Sequence, residues 1–353
     1  MFTQSTNLSG TLIPKFIVEG IMLYPIKFTP VYKSKIWGGS KLNEIYSRQI
    51  PATDIGEAWE ISCRDDGMCT VANGPLQGMS FDRLIETYGA AIYGNIKITD
   101  GKFPLLLKLL DVNTDLSVQV HPSKAFIDQN GLDGEEEKNE VWYVLNAEDN
   151  ASIVSGLKPG ITREKLKNAI DEGKVEACLE RTPVKSGDVV MIRTGSVHAA
   201  CSGMLLFELQ QSSDTTYRLY DYNRRDSAGN LRRLDVEKAL GAIDYEGGAE
   251  FVERPECITK AGVKWSRLVK CNSFCLDEIE VDGLFRTNGN KNLGVFTVIK
   301  GEAVVRGNSV SVSLGEGESV FIPACLDKYV ITGTCTLLYS SIKPRELRLK
   351  GNL

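Results

Sequence analysis

Residues Leu116-Ser-Val-Gln-Val-His-Pro122 alternate apolar and polar side chains and stop at a proline. That period of two is the mark of a half-buried β-strand. It turns Gln119 and His121 to one face and Val118 and Val120 to the other. A carboxamide and an imidazole two residues apart on a strand can address one small target together.

Working outward, further strand signals flank this segment. Val-Trp-Tyr-Val-Leu at 141–145 and Asp-Val-Val-Met-Ile at 188–192 are short and rich in β-formers. Met-Leu-Leu-Phe-Glu-Leu at 204–209 reads as a strand, with a helix not excluded. Gly, Pro and Asn separate these runs, so the pattern is that of a β-barrel or sandwich and not of βαβ units. Helical stretches are few. Ser80 is placed to cap a helix with Phe81, Leu84, Ile85 and Tyr88 on its apolar face. Thr162 is placed to cap one carrying Leu166, Ile170 and Val175, and Asp235 one carrying Val236 and Leu240. Irregular sequence around 245–265 suggests a boundary. Beyond it, strands are expected at 274–281, 293–300, 303–312, 319–323 and 336–340.

A weak repeat links the two parts. Gly187, Arg193, Gly195 and His198 stand in the same frame as Gly317, Pro323, Cys325 and Lys328. The frame resembles the second motif of cupins, with a proline replaced in the first copy and glycine and histidine lost in the second. The expected fold is therefore mainly β: two cupin-like jelly-roll barrels, with helices inserted or packed around the first. Residues 22–255 form the expected catalytic part and 256–353 a degenerate second barrel. Residues 1–21 are expected to lie outside the fold as a tail.

The composition of the 353 residues is ordinary for a globular chain, 42% hydrophobic and 25% charged, which excludes a disordered or fibrous protein. A net charge of −5 gives no basic excess for nucleic acid or an anionic membrane. No apolar run approaches the ~20 residues of a membrane-spanning helix. The nine cysteines are odd in number, scattered and without a C-x-x-C pair. They read as reduced thiols filling the core of a cytoplasmic protein.

Only two histidines occur, His121 and His198. Both fall at motif positions of the first barrel. Glu140 opens the strand after the Gln119–His121 segment. Two imidazoles, one carboxylate and one carboxamide can converge on a metal ion. Such donors suit zinc, and two histidines with a carboxylate also suit iron(II).

The motifs together resemble the type I mannose-6-phosphate isomerases in their short bacterial form. The segments that carry the likeness run in order: Ile36-Trp-Gly-Gly39, Ile55-Gly-Glu-Ala-Trp-Glu-Ile-Ser62, Leu106-Leu-Lys108, Leu116 to Pro122, Lys138-Asn-Glu-Val-Trp-Tyr143, Gly195-Ser-Val-His-Ala199, and Gln210 to Asp221. The resemblance implies an aldose–ketose isomerase, normally with zinc, acting on a sugar phosphate. It implies Gln119, His121, Glu140 and His198 as metal ligands, Arg218 as the catalytic arginine and Lys138 as the lysine at the metal. Arg193 departs from the family's usual proline, and the large helical insertion of longer relatives is missing.

Isomerisation moves a proton between C1 and C2 and stabilises an enediol-like oxyanion. Arg218 can offer fixed donors to those oxygens or to phosphate. Lys108, Lys138, Glu57 and a metal-bound water are open as the acid/base. Asp214, four residues before Arg218, can assist ring opening or orient that arginine. Trp37 and Glu57 are candidate substrate contacts. Two other readings stand beside this one: an iron(II) dioxygenase on His121, Glu140 and His198, and a sugar-binding barrel without catalysis.

Overall fold

The computed structural model describes residues 22–98, 102–226, 228–288 and 291–342. The expected tail at 1–21 lies outside the described residues. The expected mainly β character holds, and every named strand pair is antiparallel.

One large sheet orders its strands Glu250–Phe251, Val189–Ile192, Glu140–Ala147, Met204–Gln211, Leu105–Val112, Ile55–Ile61 and Val31–Gly39. A smaller layer faces it. That layer comprises Leu179–Pro183, Ser152–Leu157 and Ala199–Ala200, together with the pair Val118–Val120 and Tyr217–Tyr220. The two groups of the smaller layer meet where Gln119 bridges His198. The stretch at 204–209 is a central strand. Its alternation explains why it looks apolar throughout: Leu205, Phe207 and Leu209 enter one core, while Met204 and Leu206 enter another. A strand buried on both faces loses its polar alternation.

The second large sheet orders Ile258–Lys260, Val263–Lys270, Cys275–Asn288, Lys328–Ser341, Gly294–Gly307 and Val310–Leu314, with Ser319–Ile322 pairing Gly294–Gly307. Here the expected strands at 293–300 and 303–312 are corrected. They are one strand to Gly307, irregular between Val298 and Lys300, and the chain turns at Asn308 and Ser309, both with positive φ. Gly301 follows the extra residue, Ile299, and pairs with Cys335. Its φ is +77°, and a Cβ would lie 2.2 Å from the Thr334 carbonyl oxygen.

The two sheets share a core. Phe28, Phe81 and Phe103 pack against Phe321, and Ile26 and Phe321 exchange backbone hydrogen bonds. The helix Phe81–Tyr93 buries Phe81, Leu84 and Tyr88 as its spacing predicts. Ser80 occupies its N-cap, yet its hydroxyl goes to Asp82 and not to a helix N–H. Asp235 likewise precedes Val236–Ala242 without capping it, because its carboxylate pairs with Arg233. Thr162 does cap Arg163–Asp171, but that helix ends before Val175, which opens a short 3-10 turn. The described cysteines are all free; Cys257 and Cys325 are exposed and so do not fill the core.

Candidate metal centre

Gln119 sits in the Val118–Val120 strand and His121 follows it directly. Val118 and Val120 are buried in a cluster with Leu166 and Leu240, which turns Gln119 and His121 toward the barrel interior. Gly195 closes the loop that delivers His198. Its φ of +86° suits glycine, and its N–H donates to the His121 carbonyl at 2.8 Å. Gln119 and His198 exchange backbone hydrogen bonds of 3.0 and 2.9 Å. Glu140 starts the central strand opposite Gln210 and Ile192.

The side chains converge. His121, Glu140 and His198 are fully buried, and their ligand atoms lie within 4.8 Å of one another. His121 Nδ1 donates to the Thr215 carbonyl at 3.1 Å and His198 Nδ1 to that of Ser196 at 2.9 Å. Those bonds fix the tautomers that leave both Nε2 lone pairs facing Glu140, as in metal-ligating histidines. Glu140 reaches His121 Nε2 at 3.4 Å and His198 Nε2 at 3.2 Å, but neither of its oxygens completes a well-directed hydrogen bond. Burying a carboxylate in that condition is costly. A cation between these three groups satisfies the orphaned atoms, so the residues fit a metal. Burial first, then the Lys138 ammonium, lowers His121 to about 3, which keeps its imidazole neutral. Burial opposes the charge on Glu140, but the Lys138 ammonium outweighs it and holds the carboxyl well below its usual range. Gln119 Nε2 lies 3.2 Å from His198 Nε2, which puts its carboxamide in the same cluster.

The same interior carries a buried charge network. Lys138 Nζ lies 2.9 Å from Glu140. Lys108 Nζ pairs with Glu208 at 3.0 Å and donates to Gln210 at 2.7 Å. Burial works against its charge, but Glu208 and Glu57 raise its pKa above the ordinary lysine value. Glu57 accepts from Trp59 at 2.7 Å and pairs with Lys35 at 3.1 Å. Burial alone would raise it; Lys108 and Lys35 bring it down to about 2. The second Glu208 oxygen accepts from Trp142, whose ring meets His198 edge-on at 5.6 Å. Trp37 is 4% exposed and packs with Leu110, Val112 and Trp142 in the apolar part of the interior.

Arg218 is the cross-strand partner of Gln119, so both side chains share a face. Its guanidinium donates to Ser117 Oγ at 3.1 Å and to the Arg233 carbonyl at 2.9 Å. Asp214 is exposed, and among the described residues no hydrogen bond or ion pair joins it to Arg218. Sequence reasoning missed Glu208 and Ser117. The signal for Glu208 was present: it is the single charge in an otherwise apolar strand, and it stands directly opposite Lys108.

The type I phosphomannose isomerase catalytic domain matches residues 26–152, and the mannose-6-phosphate isomerase cupin domain matches residues 264–342. The mannose-6-phosphate isomerase ManA of Bacillus subtilis is 32% identical over 321 residues, covering 90% of this chain and 99% of that protein. The mannose-6-phosphate isomerase of Streptococcus mutans is 31% identical over 319 residues, covering 90% and 98%. The crystal structure of the mannose 6-phosphate isomerase from Bacillus subtilis superposes with a TM-score of 0.83 at 34% identity, covering 91% of this chain and all of that one.

Proposed function

The chain belongs to the type I phosphomannose isomerase family, and from that premise we propose that it interconverts mannose 6-phosphate and fructose 6-phosphate with zinc held by Gln119, His121, Glu140 and His198. The observation that supports the reading most is the buried trio His121, Glu140 and His198, with both Nε2 atoms turned inward. Gln119 joins the trio by turning its carboxamide so that Oε1 takes the place of Nε2, an exchange that keeps the side chain's shape. Nitrogen and oxygen donors of this kind suit zinc. Bound zinc supplies Lewis acidity toward the sugar oxygens that become negative during isomerisation.

The chain's own groups divide the remaining tasks. Arg218 directs guanidinium donors at the developing oxyanion and keeps its proton throughout. Lys108, held protonated between Glu208 and Glu57, is a fixed cation and a poor proton acceptor. Glu57, held at about 2 by Lys108 and Lys35, is a weak base as well, so among the side chains proton transfer between C1 and C2 then falls to Lys138. Asp214 is the candidate for assisting ring opening. Trp37 closes the apolar part of the interior beneath the charged groups. Residues 22–255 carry the catalysis in this reading, and 256–353 support it.

The test is a coupled assay with mannose 6-phosphate on the purified chain, before and after chelation and after zinc is restored. Turnover should vanish on chelation and return with zinc. No turnover at any metal loading overturns the proposal.

A further inference from the structure

The segment between the strand Tyr217–Tyr220 and the helix Val236–Ala242 is polar, irregular in sequence and rich in arginine. None of its described side chains belongs to the His121, Glu140 and His198 cluster. The structure gives it order. Tyr222 and Asn223 both adopt φ of +54°, turning the chain back on itself, and Arg224 N donates to the Asp221 carbonyl at 3.0 Å. Arg225 and Leu231 then form an isolated β-bridge. Inside that bridge Asp226 accepts from Ala228 N at 2.9 Å and Asn230 N at 2.8 Å. The closed hairpin brings Arg232 back beside Arg224, although eight positions separate them in sequence.

Arg224 and Arg232 meet over one carboxylate, that of Asp221, which is buried. Arg224 is fully engaged: it pairs with Asp221 and donates to the Asp115 carbonyl. Arg232 makes one long contact, 3.3 Å from Nη1 to Asp221 Oδ1, and no other hydrogen bond among the described residues. Its side chain is only 24% exposed. Burial first, and then the positive charge of Arg218, lower its pKa. Arg218 donates to the carbonyl of Arg233, the residue next to Arg232, so the guanidinium groups of Arg218, Arg224 and Arg232 stand close enough to repel one another, with Asp221 as counter-ion to Arg224 and Arg232. Glu57 also acts on Arg232, but Lys35 and Lys108 already neutralise it. Three guanidinium charges against one carboxylate leave two positive charges beside the sugar site. A phosphate monoester carries about two negative charges at neutral pH. Its oxygens match a half-buried guanidinium that has donors to spare.

We propose that Arg232, steadied by Arg224 and Asp221, receives the phosphate of the sugar phosphate and so sets the preference for phosphorylated over free sugar. Arg218 is then left for the sugar oxygens at the metal. The identity of the ligand rests on the isomerase reading; the anion site itself does not.

The test uses the zinc-loaded full chain with Arg232→Gln and Arg232→Met, the second keeping an apolar stem in place should the first fail to fold. Either should raise KM for mannose 6-phosphate at least tenfold, change kcat less than about threefold, and leave zinc content unchanged. Inorganic phosphate as a competitive inhibitor should weaken at least tenfold in parallel. Arg286→Ala, an exposed arginine of the second barrel, should leave both constants unchanged. Unchanged KM and unchanged phosphate inhibition in a folded Arg232 variant overturn the proposal. Calorimetric titration with inorganic phosphate separates the two readings. Wild-type chain that binds phosphate without any isomerase turnover, and loses that binding in Arg232→Gln, sinks the isomerase assignment and keeps the anion site.

Discussion

In the first barrel the frame that starts at Gly187 ends on His198, a fully buried imidazole, whereas in the second the same frame starts at Gly317 and ends on Lys328, which is exposed. Both copies keep a positive-φ glycine at the start and a four-residue strand after it, Val189–Ile192 and Ser319–Ile322. They part at the next turn. Gly195 donates its N–H to His121 and ties the turn to the ligand strand. Cys325 stands in its place without a positive φ, and donates its N–H to the Ala91 carbonyl of the helix Phe81–Tyr93. One copy of the frame presents a candidate metal ligand, and the other docks the second barrel onto the first. The interiors follow suit. Lys108, Glu208, Glu140 and the histidines fill the first, while Trp265, Phe285, Phe296 and Tyr339 pack ring against ring in the second.

If the contrast is real, breaking the first frame destroys chemistry and breaking the second destroys packing. His198→Ala should cause the largest effect. It removes a metal ligand and, with the metal, several kcal/mol of charge stabilisation, so turnover should fall by roughly 10⁴-fold. Metal analysis of the purified variant should show less zinc per chain; full zinc content would reject His198 as a ligand.

Phe296→Ala strikes the aromatic interior of the second barrel. Phe296 is fully buried and packs against Tyr339 at 4.6 Å between ring centroids, with the rings tilted by 34°. Removing it should cost about 3–5 kcal/mol of stability by denaturant unfolding. The kcat of the folded fraction should stay near the wild-type value. A large drop in kcat at full folding would show that the second barrel tunes the site directly.

A charged interior should also make the first barrel sensitive to acid. Burial would raise the Glu57 carboxyl, but Lys108 and Lys35 hold it at about 2 in the folded chain. In the unfolded chain it returns to about 4.3. Its contribution is thus complete above about pH 4.3 and is lost as the pH falls toward 2. The difference corresponds to on the order of 3 kcal/mol. Denaturant unfolding of wild type and Glu57→Gln should show a stability gap at pH 7 that narrows between pH 5 and 3. A gap of constant size would mean that Glu57 is not held by its lysines.

Much of this contrast was legible in the amino-acid order. Alternation alone turned Gln119 and His121 inward, and the glycine frame singled out His198 and set Lys328 against it. The rest depended on pairings between distant segments. Glu208 lies in a strand buried on both faces, so no period marks it, and only its register against Lys108 explains its charge. Ser80 and Asp235 were legible as N-cap positions but not as cappers, because each hydrogen-bonds or pairs with a neighbouring side chain instead. Arg232 lies in a segment with no regular pattern, and only the Arg225–Leu231 bridge brings it to Asp221.

Lys328→His asks whether the missing histidine is all that separates the two barrels, and the expected effect is none. The new imidazole would stand where Lys328 is exposed, outside the aromatic packing. The residues beside it are tightly packed: a Cβ on Gly307 would already lie 3.1 Å from the Leu326 side chain and 3.3 Å from Tyr329 Cβ. The buried carboxylate on that face of the sheet, Asp277, already pairs with Arg267 at 2.8 Å, so a single added nitrogen would find no free partner donors. Zinc per chain after dialysis should therefore match the wild type. A second equivalent of metal would show that the frame alone builds the site, and that the surrounding strands of the first barrel matter less than their buried charges suggest.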